Sequence, residues 1–430
     1  MLKKIKNIIV KVDHFLFKKF GSNKSLKVLQ NIKEANIIFS HLNTVGEECK
    51  VRFVGGCVRK ALNGESIDDI DLATSLEPNE VRKKLEKEGI KVIDTGLEHG
   101  TITAILDKKK FEITTLRKDV SSDGRHAKVE FTLNWELDAA RRDFTINAIY
   151  ADIEGRIFDP LDGAEDLKKG IVRFIGSANE RIEEDYLRIL RYFRFFLQYS
   201  KKNYDQNTIK SIKKNINGIN KISNERIFLE LKKTLVIKNF SNIFNQSDSK
   251  EIILNIFPQF KYTDRINNIN NLDNTLLDNY DTCLILASLI IDKSDNYEYF
   301  CHKYKTSNII RNRLKNISEN FEDLKNIKFF SEENIQRSIY FSNRSNVKDL
   351  LLFSLYINKE INKLDIKKLI TYVSACKIPK FPISGDDLKK YGYQTGQALG
   401  SKLKFLEEKW VKNNFTIGEE EIKKTLGKIN

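Results

Sequence analysis

The stretch GGCVRKALNGESIDDIDLATS, Gly55 to Ser75, places three aspartates within four residues, behind two glycines and an arginine. In an extended strand side chains alternate, so Asp69 and Asp71 project from one face and Asp68 from the other. Two carboxylates side by side repel unless a cation lies between them. Hard oxygen ligands at this spacing suit Mg²⁺, which takes one or two carboxylates together with substrate phosphates. For an isolated D-x-D, an acidic surface turn is the alternative. Here Gly55-Gly56 follows the apolar run VRFV and opens a helical stretch through Val58 to Leu62. Free backbone N–H groups at a helix start offer a seat for a phosphate, and Arg59, one turn in, adds a cation. A two-metal centre needs more than two protein ligands. Glu112 in FEITTLR alternates with Phe111 and Ile113, so it either faces Asp69 and Asp71 as a third carboxylate or stands as a solvated strand glutamate. Together these residues describe a triphosphate cradle beside a metal pair.

Residues 50 to 160 hold the elements that would position them. The β-branched runs VRFVGG, IDLATS, GTITAILD, KKFEITTLR and RIFDPLDG read as strands. Two of them, Gly100 to Asp107 and Lys110 to Leu116, form a hairpin around a turn at Asp107 to Lys110. EPNEVRKKLEKEG carries Pro and Glu early and Lys and Gly late, which suits a helix and its dipole. From about Asp166 onward strand signals fade, and ERIEEDYLRILRYFRFFLQY and DNYDTCLILASLIIDKS show apolar residues at helical spacing. In the former, Asp185 and Arg188 are three apart and so become neighbours on one helical face. Near the end Ser384 reads as an N-cap, and Gly392, Gly396 and Gly400 suggest tight turns between short helices.

Composition narrows the partners. The chain has 430 residues, too many for one ordinary core. Its 74 Lys and Arg exceed 59 Asp and Glu, a formal charge of +15 that favours nucleic acid over an acidic protein. No apolar run is long enough to span a bilayer. The five cysteines include no C-x-x-C pair, which points to neither a disulfide framework nor a zinc site but to a reduced, cytoplasmic setting; Cys57 reads as a small core residue. The Lys-rich start lacks the clean apolar core and cleavage site of a secretory signal and the Arg and Ser of a transit peptide. It reads as a basic amphipathic helix packed on the first domain.

These motifs, with ARRDFTINAIYAD, FDPLDGAEDLKKGIVRFIG and EEDYLRILRYFRF, collinear over about residues 50 to 200, resemble the CCA-adding tRNA nucleotidyltransferase and poly(A) polymerase family, in the class shared by bacteria and eukaryotes. The resemblance implies an α+β fold: a polymerase β-like nucleotidyltransferase head with a mixed sheet, then an all-α neck, body and tail. The corresponding boundaries are 1–49 for the basic N-terminal segment, 50–165 for the head, 166–230 for the neck, 231–370 for the body and 371–430 for a tRNA-binding tail.

On the matching positions, Asp69, Asp71 and Glu112 would bind two Mg²⁺, and Gly55, Gly56 and Arg59 would hold the triphosphate. Arg142 and Asp143 would contact sugar and phosphates, unless they form a structural salt bridge. Asp185 would accept from the exocyclic amine of C or A while Arg188 donates to the adjacent ring nitrogen. Arg191 and Arg194 would assist nucleotide binding. The loop containing Asp123, Gly124, Arg125 and His126 would help the pocket change from C to A addition.

The implied activity is addition of C, C and A to the tRNA 3′ end from CTP and ATP, with the enzyme, a monomer, tracking acceptor stem and elbow through phosphate contacts. A poly(A) polymerase, or a CC-only or A-only enzyme, on the same scaffold is the alternative; a non-catalytic tRNA-binding protein would not need the retained Asp69, Asp71, Glu112, Asp185 and Arg188. A D-x-D glycosyltransferase would leave the phosphate cradle and the neck motif as coincidences.

Overall fold

The computed structural model describes residues 24–43, 49–121, 128–266, 281–357 and 363–426. Nine strands carry the first part: β1 (Val51–Val54), β2 (Ile70–Thr74), β3 (Lys91–Gly96), β4 (Thr101–Leu106), β5 (Lys109–Thr115), β6 (Arg117–Ser121), β7 (Lys128–Phe131), β8 (Tyr150–Ala151) and β9 (Ile157–Phe158). Seven form one sheet in the order β3-β4-β5-β2-β1-β8-β9, and β6 pairs with β7 separately. β1 runs antiparallel to both neighbours, with Phe53 opposite Leu72 on β2 and Ala151 on β8. β2 and β5 run parallel, with Asp71 opposite Glu112. The sheet is therefore mixed, as expected.

Alternation along these strands divides the core between two faces. Phe53, Ile70, Leu72, Phe111 and Ile113 join one buried apolar cluster with residues of three helices: α1 (Lys33–Leu42), α2 (Gly56–Leu62) and α3 (Pro78–Lys87). Pro78 starts α3 where its missing N–H costs nothing. The other face gathers Val54, Ala73, Leu116, Ala148 and Tyr150 into a second cluster. Asp71 and Glu112 stand on that second face, since their strand neighbours fill the first.

Three local details differ from the sequence reading. The β4–β5 loop has two residues, Asp107 (φ 48°) and Lys108 (φ 67°), and Lys109 and Lys110 belong to the strand. Left-handed values at both loop positions match the right-handed strand twist. Residues 24–43 contribute directly to the head core through Leu26, Leu29, Ile38, Phe39 and Leu42, while residues 1–23 lie outside the described part. The long neck helix is broken. After α4 (Trp135–Ala140) and α5 (Gly163–Lys169) come α6 (Ala178–Glu184) and α7 (Arg188–Tyr199), with Asp185 extended between them at φ −154°, ψ 104°.

The cause of the break is local. Asp185 Oδ1 accepts from the backbone N–H of Leu187 at 3.1 Å, and its carbonyl accepts from Arg188 N–H at 3.0 Å. A short acid that bonds its own chain two residues on competes with helix continuation. Beyond it follow α8 (Gln206–Asn215), α9 (Asn224–Leu235) and α10 (Ser247–Ile256).

The chain divides into two compact units, Met1–Ile256 and Phe257–Asn430. Among its described residues, the regular elements of the second are all helices. It includes α11 (Thr282–Ile290), which is buried from Cys283 to Ile290 and whose start is capped by Asp281. Ser384 caps the short helix Gly385–Lys389 in a capping box with Asp387, as the sequence suggests. All five cysteines are free thiols.

Phe53 is fully buried, its ring 4.7 Å from that of Phe39. Phe53→Ala should lower the unfolding free energy of the first unit by about 3–5 kcal/mol. Urea denaturation of the whole chain checks this, and a loss under about 1 kcal/mol would contradict the packing.

Candidate active site

Gly55 turns the chain from β1 into α2 at φ 67°, ψ −118°, a conformation open to glycine and strained for other residues. Its N–H donates to Ile149 O at 3.2 Å and its carbonyl accepts from Arg59 N–H at 3.0 Å. A Cβ on Gly56 would lie 3.6 Å from Asp71 Oδ2, so the carboxylate rests against the start of the helix. Below it, fully buried Cys57 donates weakly to the carbonyls of Val54 and Asp71, and burial pushes its thiol up to about 11. Cys57 is a core residue, as read from the sequence.

A cleft of about 660 Å³ opens in front of this turn. Gly55, Gly56, Arg59, Asp69 and Asp71 line one part; Arg142 and Asp143, Asp185 and Arg188, and Arg191 and Arg194 line the rest. Asp69 precedes β2 by one residue, so strand alternation alone does not orient it. Asp68 is turned to Lys60, with Nζ to Oδ2 at 2.9 Å, and is absent from the cleft lining. Glu112 is solvent-exposed beside Asp71 and also outside the lining.

Burial, then the charge of Glu112, push the Asp71 carboxyl up to about 6, with Asp69 adding to this while Arg142 and Arg59 oppose it. Among the described residues no three His, Cys, Asp or Glu side chains meet in a ready metal-binding group. The donor set is all oxygen, and its crowding of like charge around a half-buried carboxylate is what a hard cation relieves. The residues therefore fit a divalent oxygen-seeking ion.

The arginines are held by carboxylates from other elements. Arg142 donates to Asp138 Oδ2 from NH2 at 3.0 Å and to the Tyr150 hydroxyl at 3.1 Å. Asp138 is 1 % exposed; burial would raise its carboxyl, but Arg142, Arg141 and Tyr150 outweigh that and bring it down to about 2. Asp143 receives Nε and NH2 of Arg191 at 2.8 and 2.5 Å and Asn147 Nδ2 at 2.7 Å. Burial again works against these partners, and they hold Asp143 at about 2. Arg142 and Asp143 thus each form an ion pair, although with other residues and not with one another. Arg194 pairs with buried Glu230 on α9 and lies 4.1 Å from the Phe195 ring centroid. Arg59 donates to Asn147 Oδ1 and stacks over Phe195 at 4.7 Å and Tyr199 at 5.0 Å.

Asp185 and Arg188 do reach the same cleft, but not as neighbours on one helix face, because the helix stops between them. Asp185 Oδ2 accepts from Arg226 NH2 of α9 at 2.8 Å. Arg188 is held by Glu184 and by the carbonyl of Arg181 at 2.9 Å, both through one terminal nitrogen. The sequence reading missed Asp138, Asn147, Glu184, Arg226 and Glu230. Asp138 was within reach, since D-A-A-R-R sets it three and four residues before Arg141 and Arg142; the partners on α9 have no local signal. Asp123, Gly124, Arg125 and His126 lie outside the described residues.

Residues 51–173 match the family described as "Poly A polymerase head domain", and residues 203–263 that described as "Probable RNA and SrmB- binding site of polymerase A". The human protein named "CCA tRNA nucleotidyltransferase 1, mitochondrial" is 36 % identical over 395 residues, covering 88 % of this chain and 86 % of that one. A "CCA-adding enzyme" of Ligilactobacillus salivarius is 32 % identical over 411 residues, 93 % and 94 % of the two chains. In structure, the Bacillus stearothermophilus CCA-adding enzyme, crystallised in complex with CTP, superposes with a TM-score of 0.70 at 23 % identity, over 94 % of this chain and 97 % of that one, which shows a shared fold.

The Asp71 carboxyl titrates near 6 in the folded chain, above its ordinary 3.8. Between those values the folded state keeps a proton that the unfolded chain has released, so stability falls as pH rises through the window and the full cost stands above it. Without divalent cations, Asp71→Asn should raise the unfolding free energy by about 1–3 kcal/mol at pH 7.5 and give no gain at pH 4. Equal gains at both pH values in chemical denaturation would refute the crowding of carboxylates.

Proposed function

The chain belongs to the CCA-adding tRNA nucleotidyltransferase family, and on that premise we propose that its cleft adds C, C and A to the 3′ end of tRNA from CTP and ATP. It is a nucleotidyltransferase: the terminal 3′-hydroxyl attacks the α-phosphate in line and pyrophosphate leaves. One observation carries the assignment of residues. The cleft brings the carboxylates at the start of β2, the Gly55-Gly56 turn and a row of neck arginines around one space the size of a nucleotide.

In this reading Asp69 and Asp71, with Glu112 beside them, hold Mg²⁺. When bound, the ions would supply activation of the hydroxyl and neutralisation of the triphosphate. The protein's own groups do the positioning. Because the Gly55 N–H is spent on Ile149 O, the Gly56 amide that follows it and the Arg59 guanidinium would face the phosphates. Arg142 and Arg191 enter the cleft already fixed by Asp138 and Asp143, so little side-chain freedom is lost when a nucleotide arrives. Arg194 extends that row from its pair with Glu230.

Base choice falls to Asp185 and Arg188. The Asp185 carboxylate accepts from the exocyclic amine of C or A, and the unused arms of the Arg188 fork donate to the adjacent ring nitrogen. G and U would turn a carbonyl oxygen toward Asp185, and two acceptors facing each other leave buried polar groups unpaired, a penalty of about 1–3 kcal/mol or more. The segment 371–430 would serve as the tRNA-binding tail. No described helix is long and apolar enough to cross a membrane; we place the enzyme in the cytoplasm.

Extension of tRNA lacking its last three nucleotides tests the activity. CTP alone should add two residues, and CTP with ATP should add three and stop; a long A tail, or arrest after two C residues with both nucleotides present, would overturn the reading. Asp69→Ala with Asp71→Ala should abolish incorporation while tRNA binding in a gel-shift assay persists, and incorporation at the parent rate would remove both residues from the metal site. Arg188→Ala should narrow the preference for CTP over UTP by about tenfold or more, measured as a ratio of kcat/KM.

A further inference from the structure

The break that separates Asp185 from Arg188 is braced by a contact that neither residue makes. Tyr186 lays its ring on the backbone of Gly218, in the 3₁₀ helix Ile216–Lys221. A Cβ at Gly218 would fall 2.0 Å from Tyr186 Cε1, 2.1 Å from Cδ1 and 2.4 Å from Cζ. These separations lie far inside van der Waals contact, so any side chain at 218 would have to drive the whole ring away. Gly218 is not among the glycines with positive φ, so its backbone does not call for glycine; only the space does. Lys221, on the same 3₁₀ helix, stands 5.5 Å from the ring centroid and adds a cation–π attraction.

Tyr186 is tied to the base-contacting pair on both sides. Its peptide adjoins Asp185, and its carbonyl accepts from Ile189 N–H at 3.1 Å, in the first turn of α7 that begins with Arg188. Asp185 is meanwhile held by Arg226 of α9. The link between the two side chains is therefore pinned by the ring on Gly218 from one element and by an ion pair from another.

We infer that Gly218 is a specificity-positioning residue: the room it leaves for the Tyr186 ring sets the distance and angle between Asp185 and Arg188, and so the choice among nucleobases. The inference rests on the reading of Asp185 and Arg188 as the base-contacting pair. Gly218→Ala would displace the ring and carry the Asp185 carboxylate off line. Misplacement of about 1 Å at such a site costs up to about a hundredfold.

The test measures kcat/KM for CTP, ATP, UTP and GTP on tRNA lacking its last three nucleotides, with binding of each free nucleotide by calorimetry and thermal melting of every variant. Gly218→Ala should lower the CTP to UTP ratio by about tenfold or more, chiefly through a higher KM for CTP and accepted UTP, with a melting temperature near the parent's. Tyr186→Ala should lose discrimination similarly, the double variant should be no worse than Tyr186→Ala alone, and Tyr186→Phe, which keeps the ring, should retain the preference. A parental ratio in Gly218→Ala, an equal fall for all four nucleotides, or additive losses in the double variant would overturn the inference. A parent chain that fails to distinguish CTP from UTP would instead overturn the base-contact reading, and this inference with it.

Discussion

The parallel ladder between β2 and β5 is the constraint on which the site depends. It sets Asp71 directly opposite Glu112, and in doing so it concentrates negative charge where the chain has also placed a helix start and no bulky side chain. An antiparallel partner at that edge could arrive by a short hairpin. A parallel one requires a crossover, which here is supplied by α3 and the strands β3 and β4. The segment between the two carboxylates is thus the means by which they meet.

The positive half of the cleft is built differently. Its arginines come from the loop after α4 and from the neck, and each of four is matched to a carboxylate: Arg142 to Asp138, Arg191 to Asp143, Arg188 to Glu184 and Arg194 to Glu230. Asp138 and Asp143 stay ionised far below neutral pH because their partners outweigh the cost of burial. Such pairs are a poor source of net stability. Their value lies in fixing a fork of donors at a known angle before substrate arrives, at the expense of a more flexible and better hydrated surface.

Much of the head was legible in sequence because its signals are local. The Gly55-Gly56 turn, the alternation that sets Asp71 opposite its apolar strand neighbours and the proline at the start of α3 are each written in a few adjacent residues, as is the Ser384 cap in the second unit. Helical periodicity also identified the second half correctly. It failed at Asp185, where the apolar spacing continues across a point at which the backbone does not: periodicity reports which side is buried, not whether the turn hydrogen bonds persist. Arg226 and Glu230 were invisible for another reason: each acts across a gap in sequence that only the packed neck closes. Asn147 likewise meets Arg59 only once the head has folded. Residues 24–43, within the segment read as a basic amphipathic helix packed on the first domain, are short helices whose Leu26, Leu29, Ile38, Phe39 and Leu42 fill the head core while their lysines stay exposed.

The crossover between β2 and β5 also bears on how the protein comes to be folded. Contacts that join distant parts of a chain form late, because the entropy of closing the intervening loop must be met before they return anything. The pairing of Asp71 with Glu112 must wait for α3 and the β3–β4–β5 meander to order, and it brings together like charges when it comes. A nascent or partly unfolded chain would therefore hold no assembled cation site, and a divalent ion that binds only the finished arrangement would draw the equilibrium toward it by mass action. The ion would then act as a folding ligand before any nucleotide is bound.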